Sequence, residues 1–268
     1  MTDKNTGLSE VAAEGSAIAE SYRFLRTNLF FFDAREVQAV MITSALPGEG
    51  KSTIAGNLAV VCADAHKRVL LVDSDLRKPT QHVYFGMNNS SGLAQALRQP
   101  GPGSEYNLEL KVHQARPGLD LLTSGPLPAS PPDRLASGRM AELVSFVRRE
   151  YDLIIFDSPS VLAVTDPVVL ARYVDGVILV VRAAHTRREH AAEALRQLAR
   201  TNTNVLGVVL NSMSPKKGYG REGNYLRKHR KNIPQPEESR STINEADSAN
   251  TLPQRGAGPA GDPQGDST

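Results

Sequence analysis

The sequence predicts a single α/β domain with a mostly parallel sheet, helices on both faces of that sheet, and a disordered C-terminal tail. Runs rich in Val, Ile and Leu alternate with helical patterns over the first 211 residues, which is typical of consecutive βαβ units. The runs are almost continuously apolar, as expected for strands that are buried on both faces. The chain has 268 residues, 40% hydrophobic and 22% charged, a composition that suits one core of this size.

The individual elements follow from residue periodicity and from turn residues. Short aliphatic runs predict strands at 37–43, 68–73, 119–123, 153–157, 176–181 and 205–210. The remaining patterns predict helices at 16–32, 51–65, 93–98, 167–173 and 186–202. A further helix is predicted to reach Glu150, with Asp133 as its N-cap after a proline-rich loop.

Composition divides the chain into three parts. Residues 1–15 are small and polar and are predicted to be flexible, and the folded domain is predicted to span 16–214. In the tail, 215–268, Lys216 to Lys231 hold seven Lys or Arg residues against one Glu. Beyond it, only Ile233, Ile243 and Leu252 are large aliphatic residues. Such a segment buries too little apolar surface to offset its ordering entropy, so a basic and then low-complexity disordered tail is expected.

Bulk properties argue against several classes of protein. A net charge of +2 gives no reason to expect binding to nucleic acid. The N-terminus has no apolar block typical of a signal peptide, and apolar runs such as Val177 to Val181 are far too short to span a bilayer. The single cysteine, Cys62, cannot form an internal disulfide. A cytoplasmic protein is therefore expected, unless a partner holds it at a membrane.

A phosphate-binding loop follows the first predicted strand. Its spacing is that of a P-loop, except that Ala45 replaces the first glycine of the strict pattern. Small residues let backbone N–H groups surround phosphate oxygens at the positive end of the next helix. The alternative is a chance glycine turn. The residues predicted to bind ATP here are Pro47, Gly48, Glu49, Gly50, Lys51, Ser52 and Thr53, with Lys51 on the phosphates and the Ser52 hydroxyl on Mg²⁺.

Acidic residues follow two other predicted strands. Asp73 ends the strand 68–73 and Asp75 follows it two residues later, and Asp157 ends the strand 153–157. Carboxylates beside a phosphate loop can hold Mg²⁺ or its waters, and can orient an attacking hydroxyl. Asp73 and Asp75 are therefore predicted to be catalytic, and Asp75 and Asp157 to serve the metal. The alternatives are an Asp73 turn cap, an Asp75–Arg77 pair and an Asp157 that only ends its strand.

The last predicted strand also ends in a polar residue, Asn211. An amide at this position can donate and accept hydrogen bonds at the edge of a purine ring. Asn211 is therefore a predicted nucleotide contact, with a simple turn residue as the alternative.

These motifs, in this order, resemble the bacterial tyrosine kinases (BY-kinases) of polysaccharide co-polymerase systems. The resemblance covers about Glu20 to Asn211 and includes SALPGEGKST, LLVDSDLRKP, YDLIIFDSPSVLAVTD and NVLGVVLN. It implies an ATP- and Mg²⁺-dependent protein-tyrosine kinase that phosphorylates itself and regulates exopolysaccharide or capsule polymerisation and export. Lys51 and Ser52 would serve the nucleotide and its metal, and the three aspartates would serve Mg²⁺ and activate the tyrosine hydroxyl.

The resemblance also implies partners. Glu20, Arg23 and Arg26 match the helix through which family members form ring-like oligomers; the alternative is a solvated charged stripe with local pairs. The family's tail usually has a dense tyrosine cluster, whereas this tail offers only Tyr219 and Tyr225 as phosphoacceptor candidates. The other expected partners are the cytoplasmic part of a separate membrane co-polymerase, which would recruit the chain to the inner face of the cell membrane, and a tyrosine phosphatase.

Two other functions use the same fold and nucleotide site. One is an ATPase switch of the chromosome-partitioning or division-site type, in which a signature lysine stands where this sequence has Leu46. The other is a non-kinase assembly factor, whose nucleotide state controls docking on a membrane co-polymerase. Phosphorylation of tyrosine would distinguish the kinase hypothesis from the ATPase switch and from the assembly factor.

Overall fold

The computed structural model describes residues 16–31, 37–98 and 110–213. Its strands are β1 Ala39–Ser44, β2 Val69–Asp73, β3 His113–Arg116, β4 Leu119–Leu122, β5 Leu153–Asp157, β6 Gly176–Arg182 and β7 Val205–Asn211. They form one sheet in the order β3-β4-β2-β5-β1-β6-β7. All pairings are parallel except that of β3 with β4. The predicted mostly parallel sheet is confirmed, and β3 is an antiparallel edge strand that the sequence patterns did not reveal.

The helices cover both faces of this sheet, as predicted. They are α1 Ala17–Phe31, α2 Lys51–Ala63, α3 Gln81–Tyr84, α4 Leu93–Ala96, α5 Pro131–Leu135, α6 Gly138–Glu150, α7 Asp166–Leu170 with a 3₁₀ turn at Ala171–Tyr173, and α8 Arg188–Ala199. Helices α1 and α2 pack on one face. Helices α4, α6, α7 and α8 pack on the other.

The central strands β1, β2 and β5 explain the continuous apolar runs. Every residue of these three strands is buried, and successive side chains alternate between the two cores. In β5, Ile154 and Phe156 enter the core under α6, whereas Leu153 and Ile155 enter the core under α2. Alternation between two apolar environments requires apolar residues at every position.

The predicted N-cap at Asp133 is wrong. The structure divides that helix into α5 and α6, and Asp133 lies inside α5, where it accepts a 2.5 Å hydrogen bond from the hydroxyl of Ser130. Pro131 and Pro132 occupy the first turn of α5, a position at which proline is favoured because its missing N–H needs no partner there. The helix therefore begins three residues earlier than the capping pattern suggested, with Ser130 rather than Asp133 at the N-cap position.

Within the described ranges, no helix is both long enough and apolar enough to cross a membrane. The predicted flexible N-terminus, 1–15, lies outside the described residues, as does the tail 215–268 with Tyr219 and Tyr225.

Candidate active site

The site lies where β1, β2 and β5 end at the same edge of the sheet. These three strands are neighbours in the sheet, and the phosphate loop follows β1 directly. Asp73 and Asp157 are the last residues of β2 and β5, and they stand opposite each other in the strand register. The parallel sheet therefore brings together three segments that are distant in sequence, at the edge where α/β folds bind ligands.

The loop between β1 and α2 has the backbone conformation of a phosphate cradle. Gly48 and Gly50 adopt positive φ angles of 81° and 92°, which residues with a side chain rarely tolerate. A Cβ at Gly50 would also lie 2.1 Å from the amide nitrogen of Asn211. Ala45 is buried at the end of β1 and is absent from the positive-φ residues of the described chain. The missing first glycine therefore leaves the loop unstrained.

Lys51 and Ser52 begin α2 and face the acidic loop that follows β2. The Lys51 ammonium group lies 3.2 Å from a carboxylate oxygen of Asp75 and 3.3 Å from the Ser52 hydroxyl oxygen. Asp75 is nearly buried, with 4% of its surface exposed. The predicted phosphate-binding lysine, the metal-binding hydroxyl and one catalytic carboxylate therefore share one small volume.

Asp73 and Asp157 lie deeper, and both are fully buried. One oxygen of Asp73, Oδ2, accepts hydrogen bonds from the backbone N–H groups of Thr80 and Gln81, at 3.0 and 2.9 Å. The side-chain amide of Gln81 donates to Asp157 Oδ2 at 2.8 Å. Gln81 belongs to no predicted motif. Its only sequence signal is its place four residues after Arg77, in the helix that follows the acidic loop.

The electrostatics of this cluster are dominated by burial of negative charge. Burial raises the pKa of Asp73 and the charge of Asp157 raises it further. Burial also raises the pKa of Asp157, and the opposing effects of Lys51 and Gln81 do not cancel this. Burial acts to lower the pKa of Lys51, but attraction by Asp157 and Asp75 outweighs it, so that the pKa is raised. The buried carboxylates of Asp73, Asp75 and Asp157 therefore favour the binding of a cation in addition to Lys51.

The unpaired oxygens of the cluster fit Mg²⁺ with its waters. Asp73 Oδ1 and Asp157 Oδ1 are buried and accept no hydrogen bond from the described residues, and buried acceptors of this kind normally have a partner. Across the described ranges, no set of three or more His, Cys, Asp or Glu side chains could hold a metal by itself. Proteins bind Mg²⁺ through one or two carboxylates together with phosphate oxygens, and the free oxygens of Asp73 and Asp157 fit that role.

A cavity of about 530 Å³ opens above this cluster. The phosphate loop forms one wall, and Arg77, Lys78, Tyr84 and the segment after β5 form the rest. Arg77 makes two hydrogen bonds, of 2.9 and 3.0 Å, with the fully buried carboxylate of Asp166 at the start of α7. The alternative Asp75–Arg77 pair is present only through the main chain, because Asp75 Oδ1 accepts the backbone N–H of Arg77 at 3.2 Å while the guanidinium group binds Asp166. Instead, Arg77 joins two walls of the cavity, a role that no local sequence pattern indicates.

Asn211 and Glu49 form the back of the phosphate loop. The Asn211 amide nitrogen donates to the main-chain oxygen of Glu49 at 2.8 Å, and its oxygen accepts the backbone N–H of Ser212. The Glu49 carboxylate is buried and accepts hydrogen bonds from the N–H of Leu46 and the hydroxyl of Thr186. Both predicted nucleotide contacts thus contact the loop itself, and their side chains support its shape.

The predicted subunit-contact residues lie on α1, which packs with α2 and contributes no residue to the lining of the cavity. Arg23 pairs with Glu20 within the helix, and both side chains are partly exposed. Arg26 donates to the carbonyl oxygen of Val61 at 2.9 Å and so joins α1 to α2. Phe24, on the same helix, has 64% of its surface exposed. The pair within the helix agrees with the alternative of a charged stripe with local pairs. The exposed phenyl ring of Phe24 leaves the helix available for a further contact.

Fold and site together define a P-loop nucleotide-binding protein of the α/β class. Residues 40–259 match the family described as the CobQ/CobB/MinD/ParA nucleotide binding domain.

Curated relatives place the chain more narrowly. It is 42% identical over 217 residues to the tyrosine-protein kinase YwqD of Bacillus subtilis (strain 168), an alignment covering 78% of this chain and 90% of that protein. It is 32% identical over 211 residues to the tyrosine-protein kinase etk of Escherichia coli (strain K12), covering 78% of this chain but 28% of that longer protein. Among solved structures, the chimerical protein CapA2B2 matches with a TM-score of 0.69 and 36% identity, over 78% of this chain and 91% of that one. The chain belongs to the bacterial tyrosine kinases within the larger nucleotide-binding family.

Proposed function

We propose that this chain is an ATP-dependent protein-tyrosine kinase that phosphorylates itself and regulates the polymerisation and export of an exopolysaccharide or capsule. The observation that carries the proposal is the 3.2 Å contact between Lys51 and Asp75 at the phosphate loop. It places a phosphate-binding cation and an acidic group for the acceptor in one cavity. The identity of 42% with a tyrosine-protein kinase supports the choice of acceptor.

Binding of ATP relies on the loop and on the start of α2. Backbone N–H groups between Gly48 and Thr53 donate to phosphate oxygens at the positive end of the helix. The ammonium group of Lys51 lies 3.2 Å from a carboxylate oxygen of Asp75, and both residues line the cavity. When ATP binds, Lys51 donates to the β- and γ-phosphates. Ser52, Asp75 and Asp157 would hold Mg²⁺, which supplies positive charge to the phosphate oxygens.

Transfer requires an oriented tyrosine hydroxyl. Asp75, at the floor of the cavity, accepts the hydrogen bond of that hydroxyl and takes its proton as the tyrosine oxygen bonds to the γ-phosphorus. The bond between the γ-phosphorus and the β–γ bridging oxygen breaks, and ADP leaves with that oxygen. Asp73 is fully buried and has one oxygen occupied by two backbone N–H groups. Asp75 Oδ1 likewise accepts two backbone N–H groups, at 3.2 and 2.9 Å, so both carboxylates hold this loop in place. We propose that Asp73 also serves catalysis, from its deeper position beside Asp157.

The decisive test is tandem mass spectrometry of the full chain after incubation with ATP and Mg²⁺. We expect phosphate on Tyr219 or Tyr225, and none in the Lys51→Met variant. The assay should be run with and without the cytoplasmic end of a membrane co-polymerase, the partner that we propose recruits the chain to the inner face of the cell membrane. Release of ADP without phosphotyrosine in both conditions would reject the kinase and favour a nucleotide switch.

We also propose that α1 joins subunits into a ring-like homo-oligomer, in which the tail of one subunit reaches the site of the next. The exposed Phe24 and the partly exposed pair of Glu20 and Arg23 support this proposal. Exchanging Arg23 and Arg26 for alanine should convert the oligomer to a monomer in light scattering. The Arg188→Ala variant, on α8, serves as the control. An unchanged mass for the α1 variant would contradict the proposed contact.

A tyrosine phosphatase is the proposed partner that reverses autophosphorylation.

A further inference from the structure

Gln81 links all three motifs of the site, although it belongs to none of them. It is the first residue of α3, and its surface is fully buried. Its side-chain nitrogen donates to the main-chain oxygen of Ser52 at 2.9 Å and to Asp157 Oδ2 at 2.8 Å. Its backbone N–H donates to Asp73 Oδ2 at 2.9 Å. One residue thus contacts the start of α2, the end of β2 and the end of β5.

The chemistry of these contacts requires an amide. Both partners of the side-chain nitrogen are acceptors, a carbonyl oxygen and a carboxylate oxygen, so the group between them must supply two N–H bonds. The orientation of the amide follows from its partners, because the reverse orientation would set the Gln81 oxygen against two other oxygens. A carboxylate at this position supplies no such pair of donors, and an apolar side chain would leave Asp157 Oδ2 without its partner.

These contacts decide which groups remain for a ligand. Because Oδ2 of Asp157 is occupied by Gln81, Oδ1 is the oxygen without a partner among the described residues. Because the carbonyl group of Ser52 is held as well, the first turn of α2 is fixed relative to Asp157. Ser52 and Asp157 are two of the three residues that the proposed function assigns to Mg²⁺.

Asp73 completes the arrangement from the other side. Its Oδ2 accepts the N–H groups of Thr80 and Gln81 at the start of α3, where backbone N–H groups have no partner within the helix. Tyr84, the last residue of α3, adds a 3.4 Å contact between its hydroxyl and that of Thr53. Helix α3 is therefore held at both ends, which restricts the position of the Gln81 side chain.

We propose that Gln81 is a positioning residue for the magnesium site, acting through Ser52 and Asp157 and itself held by Asp73. The inference rests on the proposed function, since it assumes that nucleotide binds here with Mg²⁺. Groups that orient metal ligands typically contribute about 10- to 100-fold to metal affinity or activity. Loss of the Gln81 amide should therefore weaken the binding of magnesium. It should weaken the contacts of the phosphate loop with the nucleotide far less.

The test uses the full chain and the variant Gln81→Met, which keeps the side-chain volume and removes both donors. The melting temperature is measured at one saturating ADP concentration while MgCl₂ is varied, and ADP binding is measured separately in EDTA. We expect the half-maximal magnesium concentration to rise by about 10-fold or more, with ADP affinity in EDTA changed less than about twofold. The matched control is Asn57→Leu, which removes a different buried amide, one on α2 that donates to the Tyr22 hydroxyl. It should leave the magnesium dependence unchanged.

The outcomes separate the inference from the proposed function. If the wild-type chain shows no magnesium-dependent shift with ADP, the proposed function fails. If the wild type shows the shift and Gln81→Met has the same half-maximal concentration, Gln81 does not position the site. An equal loss of ADP affinity in EDTA would identify a general structural role and would also overturn the inference. Should Gln81→Met not fold, Gln81→Asn keeps an amide that is too short for both contacts, and the same criteria apply to it.

Discussion

The two ends of the same sheet hold carboxylates in opposite ways. At the starts of β1 and β6, Asp175 accepts the backbone N–H groups of Gln38 and Ala39, at 2.9 and 2.7 Å. Its two oxygens also accept hydrogen bonds from Arg148, at 2.9 and 2.7 Å. At the other end, Asp73 and Asp157 lie side by side, and each has an oxygen without a partner among the described residues.

The pKa values show the consequence of this difference. Burial acts to raise the pKa of Asp175, but hydrogen bonds from Arg148 and from the backbone outweigh it, so that the pKa is lowered. At the other end, the pKa values of Asp73 and Asp157 are raised. A carboxylate whose oxygens all accept hydrogen bonds stabilises the fold. A carboxylate with an oxygen left unpaired destabilises the fold until a ligand binds that oxygen. The comparison predicts that substitutions at the two ends have opposite effects on stability.

The largest effect is expected for Asp75→Asn, at the ligand-binding end. The variant should bind ATP, because the loop and Lys51 remain, but it should transfer phosphate about 100-fold more slowly or worse, since it lacks the group that accepts the hydroxyl proton. Single-turnover transfer and nucleotide binding are measured on the same preparation. Unaffected turnover would remove Asp75 from the proposed mechanism.

The next effect is expected for Asp175→Ala, at the opposite end. The variant loses the acceptor of two backbone N–H groups and of Arg148, and should lower the free energy of unfolding by about 2 kcal/mol. Urea denaturation measures this loss. Asp152→Ala removes the more exposed pair with Arg68 and should cost less than about 1 kcal/mol. Equal losses in the two variants would contradict the role given to Asp175.

The same residue should make stability sensitive to acid. Since the folded pKa of Asp175 lies below the ordinary value of 3.8, its contribution is present above pH 3.8 and is lost as the pH falls through the folded value. The stability difference between wild type and Asp175→Ala should therefore shrink below about pH 4. A difference that stays constant down to the acid transition would show that charge on Asp175 plays no part.

The smallest effect, of opposite sign, is expected for Asp73→Asn in the absence of nucleotide. The amide oxygen can still accept the N–H groups of α3, while the repulsion from Asp157 is removed. Because the folded pKa of Asp73 is raised, its ionised form destabilises the fold at neutral pH, and the variant should gain about 1 kcal/mol. Asp73→Ala, which loses the hydrogen bonds as well, is the control and should be less stable than Asp73→Asn. A loss of stability in Asp73→Asn would indicate that the negative charge of Asp73 does not destabilise the fold in the absence of nucleotide.

Sequence patterns identified the parts of the site that are local in the chain. The phosphate loop and the acidic residues at the strand ends lie within short motifs, since each follows a strand that apolar residues reveal. The parallel sheet then places them together. By contrast, Gln81 and the pair of Arg77 with Asp166 depend on contacts between segments 76 and 89 residues apart. No spacing within one segment can reveal these partners.

Errors in the predicted elements have a similar origin. Strand β3 is short, polar and at the edge of the sheet, so that it lacks the apolar run that revealed the others. The proposed nucleotide contact of Asn211 stays a prediction, but its strand-end position did not reveal that its amide donates to the main chain of Glu49. That contact forms because β7 ends beside the phosphate loop, which is a property of strand order.

The sequence by itself determined the α/β class, the phosphate loop and the acidic residues of the site, because each depends on the order of residues along one strand and one turn. Only the tertiary structure decided how charge is compensated: Asp175 by Arg148 at one end of the sheet, and Asp157 by Gln81 and Lys51 at the other. Compensation depends on distances between side chains from different elements and on their burial. Those quantities are set by packing, and packing alone separates the carboxylates that hold the fold together from those that remain for a ligand.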